Sequence, residues 1–291
     1  RPILALGAWF KHAACLLEAD GWTFGPNLGD LDNADACASV EPAVQDLLAQ
    51  VAGPVRAVAH DLHPDFHSTR VALATAARLG VPAIGVQHHH AHLLAVMAEH
   101  NLEGEATGLA WDGSGLGNDN TLWGGEALVM KGQGYRRIAR LRPFSLPGGE
   151  RALREPRRAA LGLLIEAYGL HWRDRLAGLP HLPFLNAFAS EEIEVLEQSL
   201  QRGLNHHRCS SVGRLFDAMA ALLGLHQICS FEAQAAMALE GLATKALETG
   251  ASEDRYHLLL ERQESEGLLQ WNWQPLLDNL LNDLEHGRPK P

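Results

Sequence analysis

The order of short apolar segments in the first third of the chain constrains its fold more than any other feature. Three β-like stretches follow one another closely and predict a meander of three strands: residues 3–8, 13–18 and 21–26. Segments of helical spacing at 31–51 and 68–79 then alternate with apolar, strand-like runs at 55–60 and 82–86. Strands separated by helices of this length pair in parallel, so the order predicts an α/β layered architecture.

The sequence pattern changes near the middle of the chain. Strand-like runs at 108–111, 121–130 and 135–141 surround a glycine-rich segment. From Pro156 onward the spacing is mostly helical, at residues 156–168, 191–201, 211–223, 231–247 and 275–286. Ser230 is the predicted cap of the fourth of these helices. We therefore divide the chain into a first lobe, residues 1–145, and a helix-rich portion, residues 146–291.

Composition excludes several classes of protein. The 291 residues carry a formal charge of −11, which argues against a nucleic-acid partner. No run of about 18 apolar residues occurs, so no membrane-spanning helix is predicted. The four cysteines form no C-x-x-C pair, so neither a zinc ribbon nor a disulfide framework is predicted. Without a secretory signal the expected compartment is the cytoplasm, and a start at Arg1 rather than methionine indicates a piece of a longer protein.

Residues 86–100, VQHHHAHLLAVMAEH, combine a histidine cluster with the start of a helical pattern. Within the cluster only His88 and His92 have the i,i+4 spacing that stacks two side chains on one helix face. Two imidazoles on one face are half of a metal site. A solvated, histidine-rich helix start explains this stretch equally well when it is considered alone.

The identity of the residue after the first histidine excludes one hydrolytic class. A metalloprotease of the H-E-x-x-H type needs glutamate there as its general base, and this chain has His89. A third ligand must then come from elsewhere, and a carboxylate suits best. His89 and His90 point off the ligand face, so we expect them to contact solvent, groups that support the ligands, or substrate.

A glycine-rich stretch, Asp112-Gly113-Ser114-Gly115-Leu116-Gly117, directly follows a predicted strand. Glycines there let backbone N–H groups approach a phosphate closely, while the aspartate holds a cation. A glycine-rich hairpin turn is the simpler interpretation of such a stretch alone. With a histidine pair in the same chain, we favour phosphate binding.

Residues 61–70, DLHPDFHSTR, place several polar side chains between a predicted strand and a predicted helix. In α/β sheets ligands bind at this end of the strands, so these side chains are candidates to line a cleft. Capping of the helix by Asp65 or Ser68 explains them equally well.

Helix starts in the second half supply further candidates. Gly213 and Asp217 lie one helical turn apart, so an approaching ribose would meet an uncluttered backbone and then a carboxylate. Glu232 and Gln234 stand near the next predicted helix start. Taken singly, each of these residues is ordinary for a helix start.

Together these stretches resemble the HypF family of hydrogenase-maturation carbamoyltransferases, in its Kae-type transferase domain. The resemblance covers nearly the whole chain and rests on LALGAWFK at 4–11, GDLDN at 29–33, DLHPDFHSTR at 61–70, QHHHAH at 87–92, residues 112–126, LRPFSLPGG at 141–149, REP at 154–156 and residues 230–240. The QHHHAH and DGSGLGNDNTLWGGE motifs are the most specific of these.

The resemblance implies an α/β fold of the actin, sugar-kinase and heat-shock-ATPase type, with nucleotide between two lobes. It implies a divalent metal, iron or zinc, on His88 and His92 with an acidic residue, for which Asp112 is the matching position; magnesium is also compatible. These three residues are the expected catalytic group. The expected nucleotide and phosphate contacts are Lys11, Gly113, Ser114, Gly115, Gly213, Asp217, Glu232 and Gln234.

The resemblance also implies a reaction. Full-length HypF-like proteins make carbamoyl adenylate from carbamoyl phosphate and ATP. This domain would pass the carbamoyl group to a C-terminal cysteine of a partner, HypE, toward the cyanide ligands of nickel–iron hydrogenase. None of the four cysteines here would need to be catalytic. The family's upstream modules, its second glycine-rich loop and a late aspartate are absent from these residues, so we expect the second lobe to be incomplete.

Three alternative functions fit part of the sequence. A tRNA threonylcarbamoyl transferase shares H-x-x-x-H, but the acidic charge and the DLHPDFHST and GGE stretches argue against it. An O-carbamoyltransferase acting on a small-molecule hydroxyl is closer in chemistry, and the motifs separate it only partially. A non-catalytic, actin-like nucleotide-binding scaffold would hold Mg²⁺ through carboxylates and phosphates, so the histidine pair argues against it.

Overall fold

The structure, a computed structural model, describes residues 2–19, 21–51, 53–248, 250, 256–263 and 267–287. The chain divides into two compact units, Arg1–Ala95 and Val96–Pro291. The sequence-based division after residue 145 assigns lobes by motif and stays a prediction. Among the described residues, no helix has the length and apolar character needed to cross a membrane.

The first unit is built on a five-stranded sheet. Its strands are β1 (Ile3–Leu6), β2 (Ala14–Glu18), β3 (Gly21–Phe24), β4 (Ala57–Asp61) and β5 (Ala83–Val86). Its helices are α1 (Ala34–Gln50), α2 (His67–Leu79) and α3 (His88–Glu99), the last of which continues into the second unit. The strand order is β3-β2-β1-β4-β5.

The strand pairing in this sheet confirms both parts of the prediction. β1, β2 and β3 form an antiparallel meander, and β4 and β5 add to it in parallel beside β1. Alternate residues of the strands face inward, so that Leu4, Leu6 and Leu16 are buried. α1 covers them with Val40 and Val44, which are four residues apart and therefore on one helix face.

The starts of α1 and α2 are capped differently. The Asn33 side chain accepts the Ala36 backbone N–H at 2.9 Å and caps α1. Capping of α2 by Asp65 or Ser68 is wrong, because the N-cap residue is Phe66 and no side chain caps it. The Ser68 hydroxyl instead donates to the Ala8 carbonyl at 3.0 Å, which ties α2 to the end of β1.

The second unit carries more strands than the sequence predicted. They are β6 (Ala106–Leu116), β7 (Leu122–Lys131), β8 (Gly134–Leu141), β9 (Phe144–Pro147), β10 (His206–Cys209), β11 (Leu259–Gln263) and β12 (Leu268–Asn272). The helices are α4 (Pro156–Tyr168), α5 (Trp172–Arg175), α6 (Ser190–Gln201), α7 (Val212–Leu222), α8 (Gln234–Glu248) and α9 (Gln274–Glu285). Strand order is β11-β12-β8-β7-β10-β9, and β6 pairs with β7.

The structure corrects several predicted elements in this unit. β6 runs through Leu116, so Asp112, Gly113 and Gly115 belong to a strand rather than to a hairpin turn. Strands β9 to β12 were not predicted; each is only four or five residues long. Ser230 does not cap α8, because that helix begins at Gln234. The core lies around α4 and α7, with Trp172, Trp273 and Phe184 buried in it.

Candidate metal centre and nucleotide site

The histidine helix starts directly after a parallel strand, and Gln87 forms the junction. Its backbone carbonyl accepts the Ala91 N–H at 2.9 Å, which is the first helical bond of α3. Its side-chain oxygen accepts the His90 N–H at 2.9 Å, so Gln87 satisfies a backbone donor that a helix start leaves open. Gln87 is itself buried, and this fixes the direction in which α3 leaves the sheet.

His88 and His92 lie one turn apart on α3, as predicted. Their Nε2 atoms are 3.1 Å apart, and their ring planes are inclined by 72°. Two imidazoles on one tetrahedral metal ion, with bonds of about 2.0–2.1 Å, place their nitrogens about 3.3 Å apart. The observed separation fits two nitrogens that share a metal ion, and it equally fits an N–H···N hydrogen bond between them.

A third residue of the first unit, Asp61, holds His88 from behind. Asp61 ends β4 and pairs in register with Val86 at the end of β5, so its carboxylate lies beside the start of α3. Oδ2 of Asp61 is 2.9 Å from Nδ1 of His88, and Oδ1 accepts the His63 backbone N–H at 2.8 Å. Burial raises the pKa of Asp61, but the hydrogen bonds from His88 and His63 lower it more, so the net pKa is below the usual value.

The structure narrows the expectation for the other two histidines of the cluster. His89 is fully buried, and its Nδ1 lies 3.0 Å from the Gln87 side-chain nitrogen. His90 is also buried. Of the three kinds of contact expected from the sequence, solvent is therefore excluded for His89, whereas support of neighbouring groups fits its bond to Gln87.

In the second unit, Asp112 lies where the pairing of β6 with β7 is interrupted. The register shifts between Trp111 and Gly115, so Asp112, Gly113 and Ser114 form an irregular, bulge-like segment. The carboxylate of Asp112 accepts the Gly113 N–H at 2.7 Å. Farther on, Gly117 donates to the Thr121 carbonyl at 2.9 Å and closes the hairpin.

The start of α7 packs directly on this segment. The Ser211 hydroxyl lies 2.6 Å from the Asp112 carbonyl oxygen and 2.8 Å from that of Gly113. The Ser211 hydroxyl oxygen also accepts the Arg214 backbone N–H at 3.1 Å and thereby caps α7. A Cβ at position 213 would lie 2.8 Å from the Gly113 Cα, so Gly213 is required for this close approach. Gly113 and Gly213, both predicted to bind nucleotide or phosphate, are thereby brought into contact.

Asp217, the predicted ribose ligand, is buried beside an arginine. Its carboxylate lies 2.7 Å from Nη1 of Arg214, and that guanidinium also donates to the Leu153 carbonyl at 2.9 Å. Burial raises the pKa of Asp217, and the Arg214 charge offsets only part of this effect. The ion pair is the observed role of Asp217, and its contact with a ribose stays a prediction.

The remaining predicted contacts lie in turns. Lys11 follows β1 in a left-handed conformation, with φ of 49°, and its N–H donates to Asp30 at 2.9 Å. Gln234 begins α8, and its side-chain oxygen accepts the Ser230 N–H at 2.8 Å. Glu232 is exposed in the turn before it. None of these observations tests nucleotide binding by the three side chains.

Two further acidic residues were missed as supports of the candidate sites. Asp61 is the first residue of the DLHPDFHSTR motif. Its position at the end of a predicted strand, one strand before the histidine helix, was the sequence signal that could have identified it. Glu126 is fully buried and accepts bonds from Arg137 at 2.7 Å and from the Ser210 hydroxyl at 2.6 Å. It also accepts the N–H groups of Gly124 and Gly125 at 3.2 and 3.4 Å, so this carboxylate bonds the backbone of the two glycines that precede it in β7.

Fold and site define the class: an α/β protein with a carboxylate-supported histidine pair in one unit and a glycine-lined strand–helix junction in the other. Residues 108–291 match the family described as "Carbamoyltransferase, Kae1-like Domain, second subdomain", and residues 1–99 match "HypF Kae1-like domain". The chain therefore belongs to the HypF Kae1-like domain family, which confirms the resemblance seen in its motifs.

Individual relatives agree with this assignment. A carbamoyltransferase HypF homolog of Cupriavidus necator is 46% identical over 84% of this chain and 61% of its own length. Carbamoyltransferase HypF of Synechocystis is 37% identical over 95% of this chain and 36% of its own length. The chain thus spans between about a third and three fifths of these relatives.

Two solved structures confirm the predicted fold class. Full-length HypF in a phosphate- and nucleotide-bound form superposes with a TM-score of 0.84 and 32% identity, over 99% of this chain and 42% of that one. HypF of T. kodakarensis superposes with a TM-score of 0.86 and 28% identity, over 98% of this chain and 36% of that one.

Proposed function

We propose that this chain is the carbamoyl-transferring domain of a HypF-type enzyme of hydrogenase maturation. In this proposal it passes the carbamoyl group of carbamoyl adenylate to the C-terminal cysteine thiolate of HypE, toward the cyanide ligands of nickel–iron hydrogenase. The observation that carries the proposal is the His88–His92 pair with Asp61 behind it, within a family whose relatives are named carbamoyltransferases. A nucleotide-bound HypF structure supports the adenylate as donor.

The donor set suits a divalent metal. His88 and His92 would hold iron or zinc through Nε2, and Asp112 is proposed, from the sequence motif, as the third ligand. When bound, such a metal would act as a Lewis acid that polarises a carbonyl or orients a phosphate oxygen. The buried carboxylate of Asp61 behind His88 is the kind of support that ligating histidines commonly have.

The transfer itself is an acyl exchange. The partner's thiolate attacks the carbamoyl carbon, a C–S bond forms, and the bond from that carbon to the phosphate oxygen breaks, so that AMP leaves with the electron pair. Backbone N–H groups of Ser114 and Gly115 are proposed to receive the phosphate charge, and Gly113, whose own N–H bonds to Asp112, to leave room for the phosphate beside the backbone. The Lys11 side chain would place a positive charge near the phosphate. The ribose and base of the nucleotide are proposed to contact Gly213, Asp217, Glu232 and Gln234.

The cysteines of this chain suit a nucleophile supplied from outside. Burial raises the pKa of Cys209 to about 12, so its thiol stays protonated at neutral pH. Burial also raises the pKa of Cys15 and of Cys229. A thiol whose pKa is raised forms little thiolate and is a poor nucleophile, so an acceptor cysteine on a partner fits better than any of these three.

One experiment distinguishes the candidate functions. The 291-residue chain is incubated with carbamoyl adenylate and either HypE or an aminoglycoside, and the mass of each acceptor is followed. A mass increase of HypE by one carbamoyl group supports the proposal. Modification of the aminoglycoside alone would establish a small-molecule O-carbamoyltransferase, and an unchanged mass of both would indicate a nucleotide-binding scaffold.

A further inference from the structure

Asp61 is surrounded by donors on both of its carboxylate oxygens. Oδ2 lies 2.9 Å from Nδ1 of His88, and Oδ1 receives the His63 backbone N–H at 2.8 Å. The residue is 7% exposed, so water cannot replace either partner freely. An ionised carboxylate only accepts hydrogen bonds, and therefore Nδ1 of His88 must carry the proton between them.

The position of Asp61 is fixed from the backbone as well. The Thr69 hydroxyl of α2 donates to the Asp61 carbonyl at 3.3 Å, and the parallel pairing of Asp61 with Val86 sets its distance from the start of α3. The carboxylate is thus held by β4, α2 and the loop between them. A group held this firmly can orient a neighbouring ring instead of following it.

We infer that Asp61 is a positioning residue that locks His88 in the Nδ1–H tautomer and thereby directs the Nε2 lone pair of His88 toward His92. In a neutral imidazole one nitrogen donates and the other accepts, so a proton on Nδ1 leaves Nε2 as the acceptor. The inference rests on the proposed function in one respect, because the metal bound by Nε2 is part of that proposal.

The same rule assigns the contact between the two histidines. With Nε2 of His88 as acceptor, a hydrogen bond across the 3.1 Å contact takes its proton from Nε2 of His92. Asp61, His88 and His92 then form one directed chain of hydrogen bonds. A bound metal ion would take the Nε2 lone pairs of both histidines, so His92 would exchange its Nε2 proton for one on Nδ1 through solvent, and the Asp61–His88 bond would remain.

Asparagine at position 61 cannot perform this role, although it has nearly the same shape. Its amide has one accepting oxygen and one donating nitrogen, whereas the site presents two donors. If the oxygen serves the His63 N–H, the NH₂ group faces Nδ1 of His88 and favours the opposite tautomer. Glutamate still offers two acceptors, so Asp61→Glu should preserve the tautomer.

The first test needs no metal. The chain with ¹⁵N-labelled histidine is studied with EDTA present at about pH 8, above the usual histidine pKa, and the His88 signals are assigned by their loss in His88→Ala. We expect a protonated Nδ1 and an unprotonated Nε2 in the wild type and in Asp61→Glu, and the reverse in Asp61→Asn. A protonated Nε2 on His88 in the wild type would overturn the inference.

The second test measures zinc affinity by competition with a chelating dye. We expect Asp61→Asn to weaken binding about 10–100-fold, the usual effect of losing a carboxylate behind a ligating histidine. Asp65→Asn is the matched control, because Asp65 is in the same loop but its side chain is 82% exposed. Equal affinities of wild type and Asp61→Asn, with correct folding of both shown by circular dichroism, would contradict the role.

The two tests separate this inference from the proposed function. If the wild-type chain binds no zinc or iron, the metal part of the proposed function fails, but the tautomer of His88 still decides the role of Asp61. If metal binds and the tautomer is the reverse of that expected, the inference fails and the proposed metal site stands.

Discussion

The two units bring their candidate site residues together in different ways. In the first unit, Asp61, His88 and His92 come from two neighbouring parallel strands and the helix that follows the second. In the second unit, the Asp112–Gly113 segment is held by Ser211, which lies 99 residues farther along the chain than Asp112. The first arrangement joins residues that are close in the sequence, since Asp61 and His88 are 27 positions apart, whereas the second joins distant parts of the chain.

This difference determines what each unit tolerates. In the first unit the exposed His92 side chain can change with little effect on stability, whereas loss of His88 also removes a partner of the buried Asp61 carboxylate. In the second unit, backbone contacts between Gly113 and Gly213 and the buried charges around α4 also stabilise the fold. A substitution there should alter stability and site together.

The largest expected effect is on the histidine pair. The double variant His88→Ala, His92→Ala should lose all bound metal and all carbamoyl transfer, because both nitrogen ligands are gone. Loss of His88 leaves the buried Asp61 carboxylate without one partner, so the unfolding temperature in EDTA should fall, and circular dichroism is used to check that the double variant is folded. Elemental analysis provides the measurement, with His100→Ala as the control for removal of an exposed histidine just beyond α3. Wild-type metal content in the double variant would refute the metal site.

A smaller, pH-dependent effect is expected from Glu155 before α4. Its carboxylate accepts from Arg158 at 2.6 Å and from Arg157 at 2.8 Å. Burial raises the pKa of Glu155, but the two arginines lower it more, so the net pKa is below its usual value of 4.5. Glu155→Gln should lower the free energy of unfolding at neutral pH by roughly 3 kcal/mol, as expected when one member of a buried ion pair is removed.

The sign of the pH dependence follows from that lowered pKa. The stabilisation by ionised Glu155 is complete above its unfolded-state pKa and is lost as the pH falls through the lower folded-state value. Denaturant titrations should therefore show the difference between wild type and Glu155→Gln shrinking below about pH 4.5. Glu150→Gln, at an exposed position nearby, is the control and should have the same free energy of unfolding as the wild type at every pH. A pH-independent gap would contradict this account.

The smallest expected effect is that of one methyl group. Gly213→Ala should cost about 1–3 kcal/mol, because the new Cβ would lie 2.8 Å from the Gly113 Cα and push α7 away from β6. Gly241→Ala in α8 is the matched control; it meets open space and should be neutral or stabilising by up to about 1 kcal/mol. Chemical denaturation of both variants measures the contrast. Equal stabilities would show that the Gly113–Gly213 contact can relax.

The sequence predicted the first unit almost completely. The three-stranded meander, the parallel pairing and the i,i+4 histidine pair all follow from periodicity and from the short connections between elements. The predictions that failed depended on competing partners. Ser68 has the chemistry of a cap, but the Ala8 carbonyl takes its hydroxyl instead. Strands β9 to β12 are too short to show a period, and only their neighbours in the sheet make them strands.

The sequence by itself determined the α/β class and which side chains are candidates for a metal or phosphate site: two histidines on one helix face and an aspartate followed by glycines. Tertiary structure alone decided what supports them. Asp61 reaches His88 because β4 and β5 end side by side, and Ser211 reaches Asp112 because α7 packs on β6. Periodicity is a local property of the chain and can be read from it. A hydrogen bond between distant residues forms only after strand order and helix packing have brought its two partners together.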